Sequence, residues 1–139
     1  MKKIVVLESG YEHFQEETYV LAAFNPEFIV VAKSASQEER ARALLQADAL
    51  MIREAPLPQE YIALLDKCQA IVRYGVGVDN VDLSAAKEKG IYVANVPDYG
   101  SEDGAHPALA LLLAAPRRIT SRNREVHAGE WNIGQAEPM

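Results

Sequence analysis

The sequence predicts a doubly wound α/β fold built on a parallel sheet, and three observations carry that expectation. Five short apolar runs of strand length, starting near Lys3, Phe28, Ala49, Ala70 and Ile91, are almost unbroken by polar residues, as strands buried on both faces of a parallel sheet are. Between them lie stretches with helical spacing or helix-start signals, so strand and helix alternate in the pattern of right-handed crossovers. The fourth run, through Arg73 and Tyr74, then breaks into Gly75-Val76-Gly77-Val78-Asp79-Asn80. A glycine-rich turn after a strand is where open α/β sheets offer unpaired backbone amides to a ligand.

Taken in order, residues 3–8 read as the first strand and residues 13–24 as a helix, because Phe14, Thr18, Leu21 and Ala22 fall at roughly helical spacing. Asn25-Pro26 closes this unit. Residues 28–32 are the second strand, Ser36 is the N-cap of a helix over 37–46, and residues 49–52 are the third strand. Pro58 opens a helix through Leu65, the apolar run from Ala70 is the fourth strand, and Asp82 caps a short helix that ends with Gly90 at C′. Residues 91–94 are the fifth strand. The expected order is the flavodoxin-like 2-1-3-4-5.

From Ser101 the pattern changes to an apolar stretch over 107–115, then Pro116-Arg117-Arg118 and an amphipathic run to Trp131. Proline inside a helix removes a donor and clashes with the preceding turn, at about 3 kcal/mol. Pro107 lies too deep after a cap at Ser101, so the helix is expected to begin near Pro107, with Gly104 letting the chain unwind before it. Pro116 ends or kinks it, leaving 108–115 packed on the sheet and a second helix over 117–128. Residues 132–139 have no periodicity and are expected to be irregular. The expected division is a sheet domain over 1–115 and a helix with its tail over 116–139.

At 139 residues and 49% hydrophobic, the chain supports one domain with a substantial core. A net charge of −6 disfavours nucleic acid and anionic membrane surfaces, whose phosphates it repels. The first apolar run is too short for a signal segment and none is long enough to span a bilayer, so a cytoplasmic protein is expected. The single cysteine, Cys68, reads as a small packing residue.

The organising turn can serve as an anion cradle, with Gly75 and Gly77 allowing positive φ and close approach, or as a tight strand-to-helix turn whose glycines serve geometry alone. Asn80 stands where a third glycine would complete G-x-G-x-x-G, so it is a weak nucleotide site. Arg53 ends the third strand at the sheet's carboxyl edge, where it either meets an anionic substrate or is simply solvated. A phosphoacceptor receiver would want an aspartate there, and a flavin phosphate loop after the first strand is disfavoured by Glu16 and Glu17. His13, His106 and His127 are scattered and pair with no carboxylate at a metal or acid-base spacing.

The residues also carry a resemblance. Arg73-Tyr-Gly-Val-Gly-Val-Asp-Asn-Val-Asp82, Ala85-Ala86, Gly90, Asn95-Val-Pro-Asp-Tyr-Gly-Ser-Glu102, Ala108-Leu-Ala-Leu-Leu-Leu113, Arg117-Arg118-Ile119 and Gly129-Glu-Trp131 resemble the N-terminal part of D-isomer-specific 2-hydroxyacid dehydrogenases, close to phosphoglycerate-dehydrogenase-like members. The resemblance implies a flavodoxin-like substrate domain in which the turn at Gly75, Val76 and Gly77 gives amides to the substrate carboxylate, with Tyr74 and Arg53 as further substrate-binding residues. It also implies that the Rossmann domain, with its NAD site and catalytic arginine, acidic residue and histidine, lies beyond this stretch. The expectation is therefore a truncated or engineered substrate-binding domain, inactive alone, with no catalytic residue, cofactor or metal of its own and weak affinity for small carboxylates. A homodimer through residues 116–131 is expected as well. The sequence departs from the resembled pattern at Gly104, His106, Pro107 and Pro116. The alternative is a stand-alone flavodoxin-like binding or dimerisation module.

Overall fold

The computed structural model describes residues 1–11 and 13–131. Five parallel strands, β1 (Lys3–Leu7), β2 (Glu27–Val31), β3 (Ala49–Ile52), β4 (Ala70–Arg73) and β5 (Tyr92–Ala94), form one sheet in the order β2-β1-β3-β4-β5. This is the flavodoxin-like order expected from the alternation. Ile4, Val5, Val6 and Leu7 of β1 are all buried, the mark of a strand covered on both faces. β1 stops one residue short of the expected end because Glu8 turns to φ 52, a left-handed conformation no strand continues through.

The helices are α1 (Gln15–Val20), α2 (Gln37–Leu44), α3 (Gln59–Ala63), α4 (Leu83–Glu88), α5 (Ser101–Ala114) and α6 (Ile119–His127). The helix expected over 13–24 is shorter than the sequence suggests. α1 buries no residue, and after Leu21 the chain tightens into a 3₁₀ turn at Ala22–Phe24 that ends on left-handed Asn25. Two other helix ends follow the sequence closely. Ser36 and Glu39 form a reciprocal capping box at α2. Asp82 caps α4 through the Ala85 amide, and Gly90 at φ 70 closes it, its amide bonding the Lys87 carbonyl and that of Ile91 the Ala86 carbonyl, a Schellman arrangement. Ile91 is spent on that closure, so β5 starts at Tyr92. Pro58 is the N-cap of α3 rather than its first helical residue.

The core brings Val5, Leu7, Leu50, Ile52 and Ile71 of the sheet together with Leu44 of α2, Ile62 of α3 and Ala86 of α4. Cys68 is buried at the edge of this core, its thiol pointing to the Ala70 carbonyl.

The chain divides into two compact units, Met1–Pro97 and Asp98–Met139, so the expected boundary at 115/116 falls inside the second, between α5 and α6. Two expectations there are corrected. α5 starts at Ser101 and runs through Pro107, because the first turn closes ahead of the proline, with the Gly104 amide on the Gly100 carbonyl. The carbonyl of Asp103, which Pro107 cannot serve, belongs to an exposed residue, so water replaces the lost donor. Nor are residues 108–115 part of the core, since α5 buries no residue. Pro116 does end the helix, with Ala115 as C-cap. α6 starts at Ile119 after left-handed Arg118, two residues later than the spacing suggests. The residues 132–139 expected to be irregular lie outside the described ones.

Candidate functional site

The carboxyl ends of β3 and β4 meet at the position where doubly wound sheets place ligands. Ile52 and Arg73 are register partners, so the residues that follow, Arg53 and Tyr74, emerge side by side. The Tyr74 amide donates to the Ile52 carbonyl at 2.8 Å, and the Gly75 amide turns back to the Arg73 carbonyl at 2.9 Å. Gly75 has φ +150 and is buried, and a Cβ built on it would lie 2.8 Å from the Arg73 Cζ. Glycine is favoured here by that backbone conformation, which a side chain strains, while the nearby Arg73 guanidinium can shift to make room.

Arg73 is used structurally as well. Its Nε donates to the Arg53 carbonyl at 2.9 Å. The Asn80 Nδ2 donates to the Ala55 carbonyl at 2.9 Å and lies 3.3 Å from that of Arg53, while the Leu57 amide bonds the Asn80 carbonyl at 2.7 Å. The loops after β3 and β4 are thus stapled together. The far side of the turn is held too, by the Val96 amide on the Gly75 carbonyl at 3.0 Å and the Asn95 Nδ2 on the Val76 carbonyl at 2.7 Å.

What this leaves open is small and defined. Val76 and Gly77 are exposed, and among the described residues their amides have no hydrogen-bond partner. Two adjacent unpaired N–H groups on a fixed turn are the donors an anion site needs. Of the three amides expected for the site, that of Gly75 is committed inside the turn.

The charged residues around the turn are of both signs. The Arg53 side chain is exposed, with its guanidinium 5.8 Å from the ring centre of Tyr11 and its Nε 3.7 Å from Glu54. The Asp79 carboxylate reaches back to Gly77, where a Cβ would lie 2.7 Å from its Oδ1. Tyr74 is half-buried, and its hydroxyl donates to Glu17 Oε1 at 2.7 Å and touches the Met51 sulfur at 3.2 Å. Burial first, and then the Glu17 carboxylate, raise its pKa far above the ordinary phenol value, so Tyr74 is a fixed donor and no base. Its ring meets Tyr11 edge to face at 5.3 Å, beside a cavity of about 310 Å³ lined by Tyr11, His13, Glu16 and Glu17. Arg53, Tyr74, Gly75, Val76 and Gly77 are thus gathered at one sheet edge. Arg73, Asn80 and Asn95, which hold that edge in shape, stand in the sequence only as parts of the resembled motifs, with no signal for this bracing role. No group of three metal-ligating side chains occurs among the described residues, and His13, His106 and His127 lie apart on the surface.

Comparison with known proteins decides the family. Residues 4–108 match the model of the D-isomer specific 2-hydroxyacid dehydrogenase catalytic domain. The chain belongs to the D-isomer specific 2-hydroxyacid dehydrogenase family. It is 38% identical over 105 residues to the D-3-phosphoglycerate dehydrogenase of Methanocaldococcus jannaschii, covering 75% of this chain and 20% of that protein. It is 41% identical over 90 residues to the D-3-phosphoglycerate dehydrogenase of Mycobacterium leprae, covering 64% and 17%. Among solved structures, the TT0316 protein of Thermus thermophilus superposes with a TM-score of 0.69 at 28% identity, over 97% of this chain and 43% of that one. The NAD-dependent formate dehydrogenase of Staphylococcus aureus gives 0.69 at 28% over 96% and 44%. The chain spans about a fifth of the length of the phosphoglycerate dehydrogenases it matches.

The family implies NAD, and the turn after β4 does not fit it. A dinucleotide loop needs its third glycine where Asn80 stands, and a pyrophosphate seeks the free amides of a helix N-terminus. The N-terminus of α4 is already occupied by the Asp82 carboxylate, which accepts from Ala85 at 2.9 Å. NAD has no seat at this turn, and no step of the reaction is routed through it.

Proposed function

We propose that this chain is the substrate-binding part of an NAD-dependent D-2-hydroxyacid dehydrogenase close to the phosphoglycerate dehydrogenases, and that its task is to hold the substrate carboxylate. The observation that carries this reading is the pair of exposed, unpaired amides at Val76 and Gly77 on a turn fastened from both sides. A carboxylate oxygen accepts from these two N–H groups, while Arg53 and Arg73 add positive potential from the β3 side and offset Asp79. Tyr74, held by Glu17, keeps the turn's first residue from moving when the anion binds. Oxidation of a 2-hydroxy acid also needs a hydride acceptor and a base for the hydroxyl proton, and neither role falls to a residue of this turn. A free buried thiol at Cys68 and dependence on NAD both support a cytoplasmic protein.

The test is a titration of the chain with lactate, followed by amide-resolved NMR. Saturable shifts at Val76 and Gly77 are expected at millimolar affinity, worth about 4 kcal/mol. Arg53→Ala should weaken binding several-fold, and the uncharged amide of lactic acid should not bind. Shifts confined to other surfaces, or none that saturate, would remove the site.

A further inference from the structure

Arg53 is the mobile cation of the carboxylate site, and an exposed arginine loses rotamer freedom when an anion fixes it. Its backbone is already clamped, because the Arg73 Nε donates to its carbonyl at 2.9 Å. The side chain is confined by the loop after β1. There Gly10 turns to φ +74, and a Cβ built on it would lie 3.7 Å from the Arg53 Nη1, so the guanidinium rests against the bare backbone. Tyr11 follows. Its amide donates to the Oγ of buried Ser9 at 3.2 Å, and its ring carries the Arg53 guanidinium 5.8 Å from the ring centre. The same ring meets Tyr74 edge to face at 5.3 Å, and Tyr74 is bonded in turn to Glu17. Tyr11 therefore links the arginine to the first residue of the turn. Among the described residues the Arg53 guanidinium donates no hydrogen bond, and its ionic neighbour is Glu54, 3.7 Å from the Nε and three-quarters exposed. An ion pair so exposed holds a side chain weakly.

We propose that Tyr11 is a positioning residue of the carboxylate site, its ring presenting Arg53 to an anion held at Val76 and Gly77. This rests on the reading of that turn as the seat of the substrate carboxylate. The π face of a tyrosine attracts a guanidinium that lies over it. Stacking occupies the face of the guanidinium while its N–H donors lie in its plane, so the ring restrains Arg53 without using a donor the anion needs. The Tyr11 hydroxyl makes no hydrogen bond among the described residues, and the residue is 47% exposed. The aromatic ring, and not the hydroxyl, carries the role. An aliphatic side chain fills similar space but has no π face to hold the cation.

The test is a lactate titration of the whole chain, read at the Val76 and Gly77 amides, in the wild type, Tyr11→Phe, Tyr11→Leu, Arg53→Ala and the double variant Tyr11→Leu with Arg53→Ala. Tyr11→Phe should bind as the wild type does, and Tyr11→Leu should raise the Kd about threefold. With Arg53→Ala already in place, Tyr11→Leu should cost nothing further, because residues that act through one contact are not additive. The stacking is also read without lactate. The Arg53 δ protons should be displaced by the ring current in the wild type and in Tyr11→Phe, and return to an ordinary arginine position in Tyr11→Leu. A wild type without saturable lactate shifts would sink the carboxylate reading and this inference with it. Lactate binding that Tyr11→Leu leaves unchanged, a loss that persists undiminished beside Arg53→Ala, or a Tyr11→Phe as weak as Tyr11→Leu would overturn the role of Tyr11 alone. So would Arg53 δ protons that do not respond to the ring.

Discussion

Arg73 shows how much a single residue's role depends on register. As the last residue of β4 it reads as a strand-end cation, yet its Nε bonds the carbonyl of Arg53 twenty positions earlier, a contact that exists only because β3 and β4 pair with Ile52 opposite Arg73. Gly75, by contrast, was legible, because a glycine directly after a buried strand is a backbone requirement visible in the sequence itself. Asp48 is a second residue defined by distant partners. Its carboxylate accepts from the Lys3 amide at 2.8 Å, with the Lys67 and Lys2 ammonium groups at 3.3 and 3.4 Å. The Lys3 amide above all, aided by both lysines, holds its pKa at about 2 against an ordinary 3.8. A depressed carboxyl contributes stability that is present above the unfolded-state pKa and is lost as the pH falls through the folded one. The urea midpoint should therefore drop between about pH 4 and pH 2. Asp48→Asn should flatten that drop, and an unchanged acid limb in the variant would show that this carboxylate does not carry it.

At the scale of elements, legibility followed burial and capping. The strands were readable as apolar runs, although only β1 is buried along nearly its whole length, while β2 leaves Val30 exposed and β5 leaves Tyr92 and Ala94 exposed. The helices with local start signals, Ser36 for α2 and Asp82 for α4, were readable because a cap is written in one or two side chains. α1 is shorter than expected, since Phe14, Thr18, Leu21 and Ala22 form too thin a stripe to bury, and without burial a short helix gains little beyond its costly first turn. α5 starts earlier than expected for the opposite reason, because an exposed carbonyl at Asp103 and an already closed first turn reduce what Pro107 costs. Pro107→Ala should restore the missing bond and remove up to about 3 kcal/mol of local strain, raising the helical signal in far-UV circular dichroism and slowing amide exchange across α5. Unchanged exchange at residues 107–114 would mean that the proline costs this helix nothing.

At the scale of the molecule, every buried core residue among the described ones lies between Ile4 and Ile91, inside the unit Met1–Pro97. The bonds that shape the turn after β4, from Arg73, Asn80, Asn95 and Val96, lie inside it as well. α5 and α6 add no buried side chain, so folding of the sheet and formation of the site should not depend on them. A chain ending at Pro97 is therefore expected to unfold cooperatively, with a stability within about 1 kcal/mol of the whole chain's, as for changes that touch no core contact. It should keep the lactate shifts at Val76 and Gly77. Fluorescence-detected urea unfolding and the same NMR titration check the two expectations separately. A fragment that unfolds gradually would show that the sheet needs the second unit. A well-folded fragment without lactate shifts would place the carboxylate site elsewhere.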